Sequence, residues 1–313
     1  MKNKKTILNF RNNFFKNKIK KTAYLEKIYE NWHAILFQYN DLISKSNIKE
    51  IRITAEQVII ETNNQIKLCW IPGDRRIAPA GILNFKDYEV DETKIVSRLM
   101  KNRKCFYDVG ANIGWYSLNI AKKYKYSQIY SFEPVSKTFG YLIKNIMHNK
   151  LSNIKAFNLG FSDTAGKQSF YVYPEGSGNA SMRNLSKKNS VYEVKCKLET
   201  MDNFRKKNNH IVDFIKIDTE GSELLVLKGA QAILSEDQPI IFSEILRKWS
   251  KQFGYKANDI LIFLRTFGYD CFEINKDKLL VVDEINRETI KTNFIFLNKK
   301  KHRKEIRYFS KKK

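Results

Sequence analysis

The chain of 313 residues has little that would anchor, staple or metallate it. No stretch approaches the roughly eighteen apolar residues that a membrane span needs. No continuous apolar run follows the basic N-terminus, so a secretory signal is not expected. There are four cysteines (Cys69, Cys105, Cys196 and Cys271), and none of them forms a C-x-x-C pair. Two lie in strand-like runs, where cysteine acts as a small core hydrophobe, and the set reads as reduced thiols of a cytoplasmic protein. The four histidines show no ligand spacing, which argues against a zinc site. No internal repeat is visible.

Acid is scarce at both ends. Residues 1–21 carry eight Lys/Arg and no acid, and residues 299–313 carry nine with one Glu, so the ends supply two thirds of the net charge of +24. Such tails are expected to be solvated and mobile; the functional alternative is attraction to phosphate, in anionic lipid heads (as peripheral contact at the inner face of the membrane), sugar phosphates or nucleic acid. Ile7, Phe10 and Phe14 share one side of a helix, as a membrane-surface segment requires, but Arg11 and Lys18 fall within the same arc.

What is present suits a globular α/β protein: 42% of residues are hydrophobic and 13% aromatic. Residues 22–45 have helical spacing, and three β-like runs follow (Ile48–Thr54, Gln57–Thr62 and Gln65–Ile71). Another helix is expected over Asp91–Met100. From there strands and helices alternate. The strands are Cys105–Val109, Gln128–Phe132, Ile154–Phe161, Val212–Asp218, Pro239–Ile245, Asp270–Ile274 and Asn293–Leu297. The helices are Trp115–Lys123, Ser136–Asn149, Ser222–Ser235 and Asn258–Phe267. Alternation of this kind predicts a Rossmann-like, doubly wound and mostly parallel sheet of seven strands. Gln168–Tyr173 and Val191–Leu198 break the pattern as a β-hairpin insertion around the polar loop Glu175–Asn189. The expected divisions are a basic tail (1–21), an α/β extension (22–100), the main domain (101–298) and a second basic tail (299–313).

The chemistry collects at strand ends. Asp108-Val109-Gly110-Ala111-Asn112-Ile113-Gly114 follows a buried strand and opens a helix, the geometry that holds a nucleotide-like cofactor. A dinucleotide fingerprint needs glycine where Asn112 stands, so the loop favours S-adenosylmethionine over NAD. Asp108 could accept from the ammonium group of its methionine part. Glu133, nineteen residues after Gly114, offers two acceptor oxygens to a ribose diol. Ser162 and Asp163, past the third strand, suit an adenine edge or a plain turn. The run Ile215-Lys216-Ile217-Asp218-Thr219-Glu220-Gly221-Ser222-Glu223 delivers Asp218, Glu220 and Glu223 to one sheet edge. Glu223 reads equally as a helix-capping partner. Glu244 ends the next strand on the same edge. Acids so grouped could hold sugar hydroxyls, act as a general base or bind a divalent cation.

Together the D-V-G-A-N-I-G block, Phe132-Glu133-Pro134 and the I-K-I-D-x-E-G-x-E block resemble the FkbM family of S-adenosylmethionine-dependent methyltransferases over residues 100–275. The resemblance implies a class I methyltransferase fold and O-methylation of a hydroxyl on a sugar, such as a cell-surface glycan precursor, or on a secondary metabolite. It implies Asp108, Gly110, Asn112 and Gly114 around the methionine part, Glu133 on ribose, and Ser162 and Asp163 near adenine. Asp218 is the expected base, with Glu220 or Glu244 orienting the acceptor. A divalent metal is admitted at these acids but is not an expected cofactor. Nucleic-acid methylation is the competing reading from the basic ends, but no N-P-P-Y turn or RNA-binding motif accompanies them, and nucleic acid is not an expected partner. A non-catalytic cofactor-binding or scaffold protein is the third reading, and the acid cluster argues against it.

Overall fold

A computed structural model describes residues 6–185 and 191–310. Its N-terminal part carries a helix (Ile7–Phe15), then helices Lys21–Ile28 and Ala34–Ser44 joined by a π turn at Tyr29–His33. Strands β1 (Ile48–Ile53), β2 (Val58–Thr62) and β3 (Lys67–Cys69) form a small antiparallel sheet. The main strands begin with β4 (Cys105–Val109), β5 (Gln128–Phe132) and β6 (Ile154–Phe157). Next come β7 (Gly160–Phe161), β8 (Gly166–Val172) and β9 (Tyr192–Glu199). The series ends with β10 (Phe214–Ile217), β11 (Ile240–Glu244), β12 (Tyr269–Asn275), β13 (Lys278–Val282) and β14 (Asn293–Asn298).

The central sheet has eight strands in the order β13-β12-β14-β11-β10-β4-β5-β6. β6, β5, β4, β10 and β11 are mutually parallel, and β14 runs antiparallel between β11 and β12. This is the class I methyltransferase arrangement, with β13 as one strand beyond the seven expected. A two-residue turn, Lys276-Asp277, folds β13 back on β12, with Lys276 in the left-handed region. Parallel strands covered on both faces must be apolar on both. In β4, Phe106 points into one core, while Cys105, Tyr107 and Val109 point into the other.

Strands β4 and β5 and helices Trp115–Lys123 and Ser136–Asn149 have the bounds expected of them. Two expected elements are broken. The strand Ile154–Phe161 stops at Phe157, because Asn158 turns back to donate to the carbonyls of Glu133 and Pro134 (2.9 Å each). β7 then leaves the central sheet and pairs with β9, so the hairpin insertion is a three-stranded sheet. The helix Ser222–Ser235 ends at Lys228 and resumes as a π turn over Ile233–Asp237. At Gly229 a Cβ would stand 2.1 Å from the Ser162 carbonyl oxygen, so this corner is too tight for a side chain.

Where they are described, the ends form helices, the N-terminal one with no buried residue. On the Ile7–Phe15 helix, Phe14 stacks on Tyr24 with ring centres 4.4 Å apart, and Phe10 lies 5.2 Å from Trp32. Residues 303–309 form a helix whose Phe309 is buried and whose Glu305 pairs with Arg103 at 2.6 Å. Residues 1–5 and 311–313, and residues 186–190 at the insertion loop, lie outside the described residues. Among the described residues no helix is long and apolar enough to cross a membrane.

Candidate active site

The glycine loop leaves β4 and turns under the end of β5. Gly110 and Ala111 donate their N–H groups to the Phe132 carbonyl (3.0 and 2.9 Å). Gly110 has φ +71°, and a Cβ there would stand 1.9 Å from the Asp218 carbonyl oxygen, so only glycine fits between the β4 and β10 loops. Asn112 adopts φ +49°, a conformation asparagine tolerates better than most residues. Its N–H donates to Oε2 of Glu133 at 3.0 Å, and the Val135 N–H donates to Oε1 at 3.0 Å. Each oxygen keeps a lone pair for a further donor. Burial raises the Glu133 carboxyl to about 7 against the pull of these two N–H groups. Asn145 braces the loop from below, donating to the Ile113 carbonyl and accepting from the Cys69 N–H (2.8 Å each).

Asp108 is fully buried beneath the loop. Its Oδ2 accepts from the Ser117 N–H and hydroxyl (3.0 and 2.5 Å), and its Oδ1 lies 3.5 Å from Lys216 Nζ. This carboxylate fixes the start of helix Trp115–Lys123, and it does not line the open notch beside Gly110 and Asn112.

The second half of the site stands where β10 and β11 end. Asp218 is one-third exposed, and its Oδ2 lies 3.2 Å from Lys216 Nζ. Glu220 and Glu244 join it, with one oxygen from each of the three all within 4.8 Å of one another. Burial and the neighbouring acids raise the Glu244 carboxyl to about 9 and hold Glu220 well above the ordinary carboxylate range. Oε2 of Glu220 is buried without a hydrogen-bond partner. Glu223 behaves differently, for its Oε1 accepts from the N–H groups of Thr219 (3.2 Å) and Gly221 (2.9 Å), and its Oε2 accepts from Tyr255 Oη (3.1 Å). Glu223 holds the loop that carries Glu220.

Three neighbours of these acids were given no role from the sequence. Lys216 is a lysine in a buried strand, and its Nζ donates to the Gly110 carbonyl at 2.7 Å. Burial works to lower its pKa, but Asp218, Asp108 and Glu89 outweigh burial and raise it. Glu89 comes from the N-terminal extension and accepts from the Tyr116 hydroxyl at 2.6 Å; burial holds both groups above their ordinary values. An interior lysine between strand hydrophobics was the one available clue.

Of the expected residues, Gly110, Asn112, Glu133, Asp218 and Glu220 line one notch. Glu244 stands beside it within the acid group, and Gly114 starts the helix behind it, with φ +95° and no room for a Cβ against Leu142. Ser162 and Asp163 are not among the walls; Gly160 and Phe161 take that place because β7 turns away. Ser162 faces the end of helix Glu223–Lys228, and Asp163 is exposed. The insertion covers the notch. The Ser177 N–H donates to Asp74 Oδ2 (2.7 Å), its hydroxyl reaches Asn112 Oδ1 (3.4 Å), and the Ser181 hydroxyl donates to the Glu220 carbonyl (2.8 Å). Under this cover the notch measures about 50 Å³.

The family description "Methyltransferase FkbM domain" matches residues 108–271. The chain is 27% identical over 195 residues to Methyltransferase sdnD of Sordaria araneosa, covering 53% of this chain and 73% of that protein. It is 27% identical over 140 residues to Methyltransferase 1 of Beauveria bassiana, covering 39% of this chain and 56% of that one. A solved structure of Methyltransferase FkbM from Methylobacillus flagellatus KT aligns with a TM-score of 0.42 at 16% identity, covering 65% of this chain and 47% of that chain. The chain therefore spans only about half the length of two of these three proteins. The family match takes in both the glycine loop and the acid edge and more than half of the sequence, and the chain belongs to the FkbM family of methyltransferases.

Proposed function

We propose that this enzyme transfers the methyl group of S-adenosylmethionine to a hydroxyl oxygen of a sugar or secondary metabolite. The observation that carries the reading is that the glycine loop with Glu133 and the acid edge at Asp218 line one notch. Methionine and ribose would be held by the loop side, through Gly110, Asn112 and Glu133. The sulfonium is already activated, so the chain must align an acceptor oxygen with the methyl carbon and exclude water. Asp218, at the rim between the buried acids and solvent, takes the proton of the acceptor hydroxyl as its oxygen attacks. Glu220 and Glu244 orient the acceptor. An antimetabolite synthetase of Pseudomonas aeruginosa, AmbE, is 24% identical over 209 residues, though they span only 10% of it, and supports an acceptor among secondary metabolites. Residues 101–298 would form the catalytic unit.

Titration of the purified chain with S-adenosylmethionine and NAD side by side tests the cofactor, and binding of NAD alone rejects it. Asp218→Asn is expected to slow methyl transfer by about 10²–10⁴-fold. Unchanged turnover in that variant removes Asp218 as the base.

A second reading concerns location. Exposed Leu8, Phe15, Leu25, Leu36 and Phe37 lie on the N-terminal helices near exposed Lys16, Lys18, Lys20 and Lys21. This favours peripheral contact with an anionic membrane. Co-sedimentation with phosphatidylserine vesicles, but not with neutral ones, is the expected result.

A further inference from the structure

We propose that Asp218, Glu220 and Glu244 form a divalent-cation site for a hard ion of the magnesium, manganese or calcium class. Ion binding rests on the acid edge alone, while the role given to the ion rests on the hydroxyl methylation proposed above.

The spacing admits three ligands around one ion. Oxygens bind magnesium at about 2.0–2.1 Å and calcium at about 2.3–2.6 Å, so ligands on opposite sides of the ion stand roughly 4–5 Å apart. The three carboxylates offer oxygens all within 4.8 Å of one another. An all-oxygen set, with no His or Cys in the group, selects hard cations over zinc or copper.

Glu220 supplies the second observation. It is 8% exposed, and its Oε2 is buried with no hydrogen-bond partner. A buried carboxylate oxygen left bare is costly unless something charged meets it. Lys216 does not serve this oxygen, since its Nζ is engaged with Asp218 Oδ2, Asp108 Oδ1 and the Gly110 carbonyl.

Protons are the competing means of neutralising the group. Asp218 and Glu244 are in hydrogen-bonding contact, so one proton can be shared between them. A proton on that pair, or on Glu220 itself, still leaves Glu220 Oε2 without a partner in the structure, whereas one ion would contact all three residues. The ion would stand beside the Gly110–Asn112 notch, open toward solvent on the Asp218 side. In that position it would bind an acceptor through two adjacent oxygens and lower the pKa of the hydroxyl to be methylated. The acceptor class this selects is a vicinal diol or an α-hydroxy carbonyl compound.

Manganese(II) is titrated into the full chain at about pH 8, and free ion is followed by electron paramagnetic resonance. One saturable site is expected, weakened at least about 10-fold in Glu220→Gln and in Glu244→Gln, with circular dichroism confirming that each variant is folded. Absence of a saturable site in the wild-type chain overturns the proposal. An unchanged Kd in a folded variant of either residue overturns it as well. S-adenosylmethionine is titrated separately into the wild-type chain. Manganese binding without cofactor binding rejects the cofactor assignment alone, and cofactor binding without manganese binding rejects the ion alone.

Discussion

Glu223 and Glu220 lie three residues apart, both nine-tenths buried, and the structure treats them in opposite ways. Glu223 accepts from two backbone N–H groups, a threonine hydroxyl and a tyrosine hydroxyl, and so does the work of fixing a loop. Glu220 has a bare buried oxygen and faces two further acids. The same contrast divides the whole sheet edge. On the β4–β5 side Glu133 is held by the N–H groups of Asn112 and Val135. On the β10–β11 side Oε2 of Glu220 is bare, and Glu244 shares a hydrogen bond with another acid, Asp218. Within the β10 loop, the carboxylate that shapes the loop is given donors by the fold, whereas the one that faces the other acids has an oxygen left without one.

Three tests probe this division. The largest effect is expected where the two sides touch. Gly110→Ala sets a Cβ against the Asp218 carbonyl at a positive φ and should cost roughly 4 kcal/mol, read by urea unfolding. An unaltered midpoint would mean that the two loops are not locked together. Next, Glu223→Ala should cost about 3 kcal/mol, because two backbone N–H groups lose their acceptor. Glu220→Gln should instead be neutral or stabilising by up to about 1 kcal/mol, since it removes a buried like charge. Equal losses in both variants would abolish the distinction between shaping and acting carboxylates.

The third concerns protons. Glu133 titrates at about 7 in the fold against 4.5 as a free side chain, so between those values the folded chain holds a proton that the unfolded chain releases. Stability must then fall as pH rises, by about 2 kcal/mol from pH 5 to pH 7 for this group. Stability curves at several pH values should show this decline, and Glu133→Gln should flatten it. The same slope in that variant would assign the decline to the other side of the sheet edge.

The parts of the site that one stretch of chain builds were legible in the sequence. Gly110, Asn112 and Asp218 follow from strand–turn–helix patterns, and Glu133 from its distance to Gly114. Residues that act across long separations were not. Glu89 reaches the site from the extension through Tyr116, and Asn145 ties the Ile113 carbonyl to the β3 backbone. Neither position has a periodicity or motif of its own. The strand before Ser162 and Asp163 was read as one piece, because the break at Asn158 depends on carbonyls of Glu133 and Pro134, over twenty residues earlier. β13 went unread because its turn, Lys276-Asp277, lacks the glycine that usually announces a hairpin.

The cover over the notch joins segments far apart in the chain. Ser177 is held by Asp74 and Asn112, and Ser181 by the backbone of Glu220. One of those anchors, Asp74, precedes the stretch shared with the family, residues 108–271. β14, which lies between β11 and β12, follows that stretch. A transplant of residues 108–271 alone would carry the recognisable signature yet lose both a clasp of its door and a strand from the middle of its floor. The inherited module and the working machine are therefore different lengths of the same polypeptide.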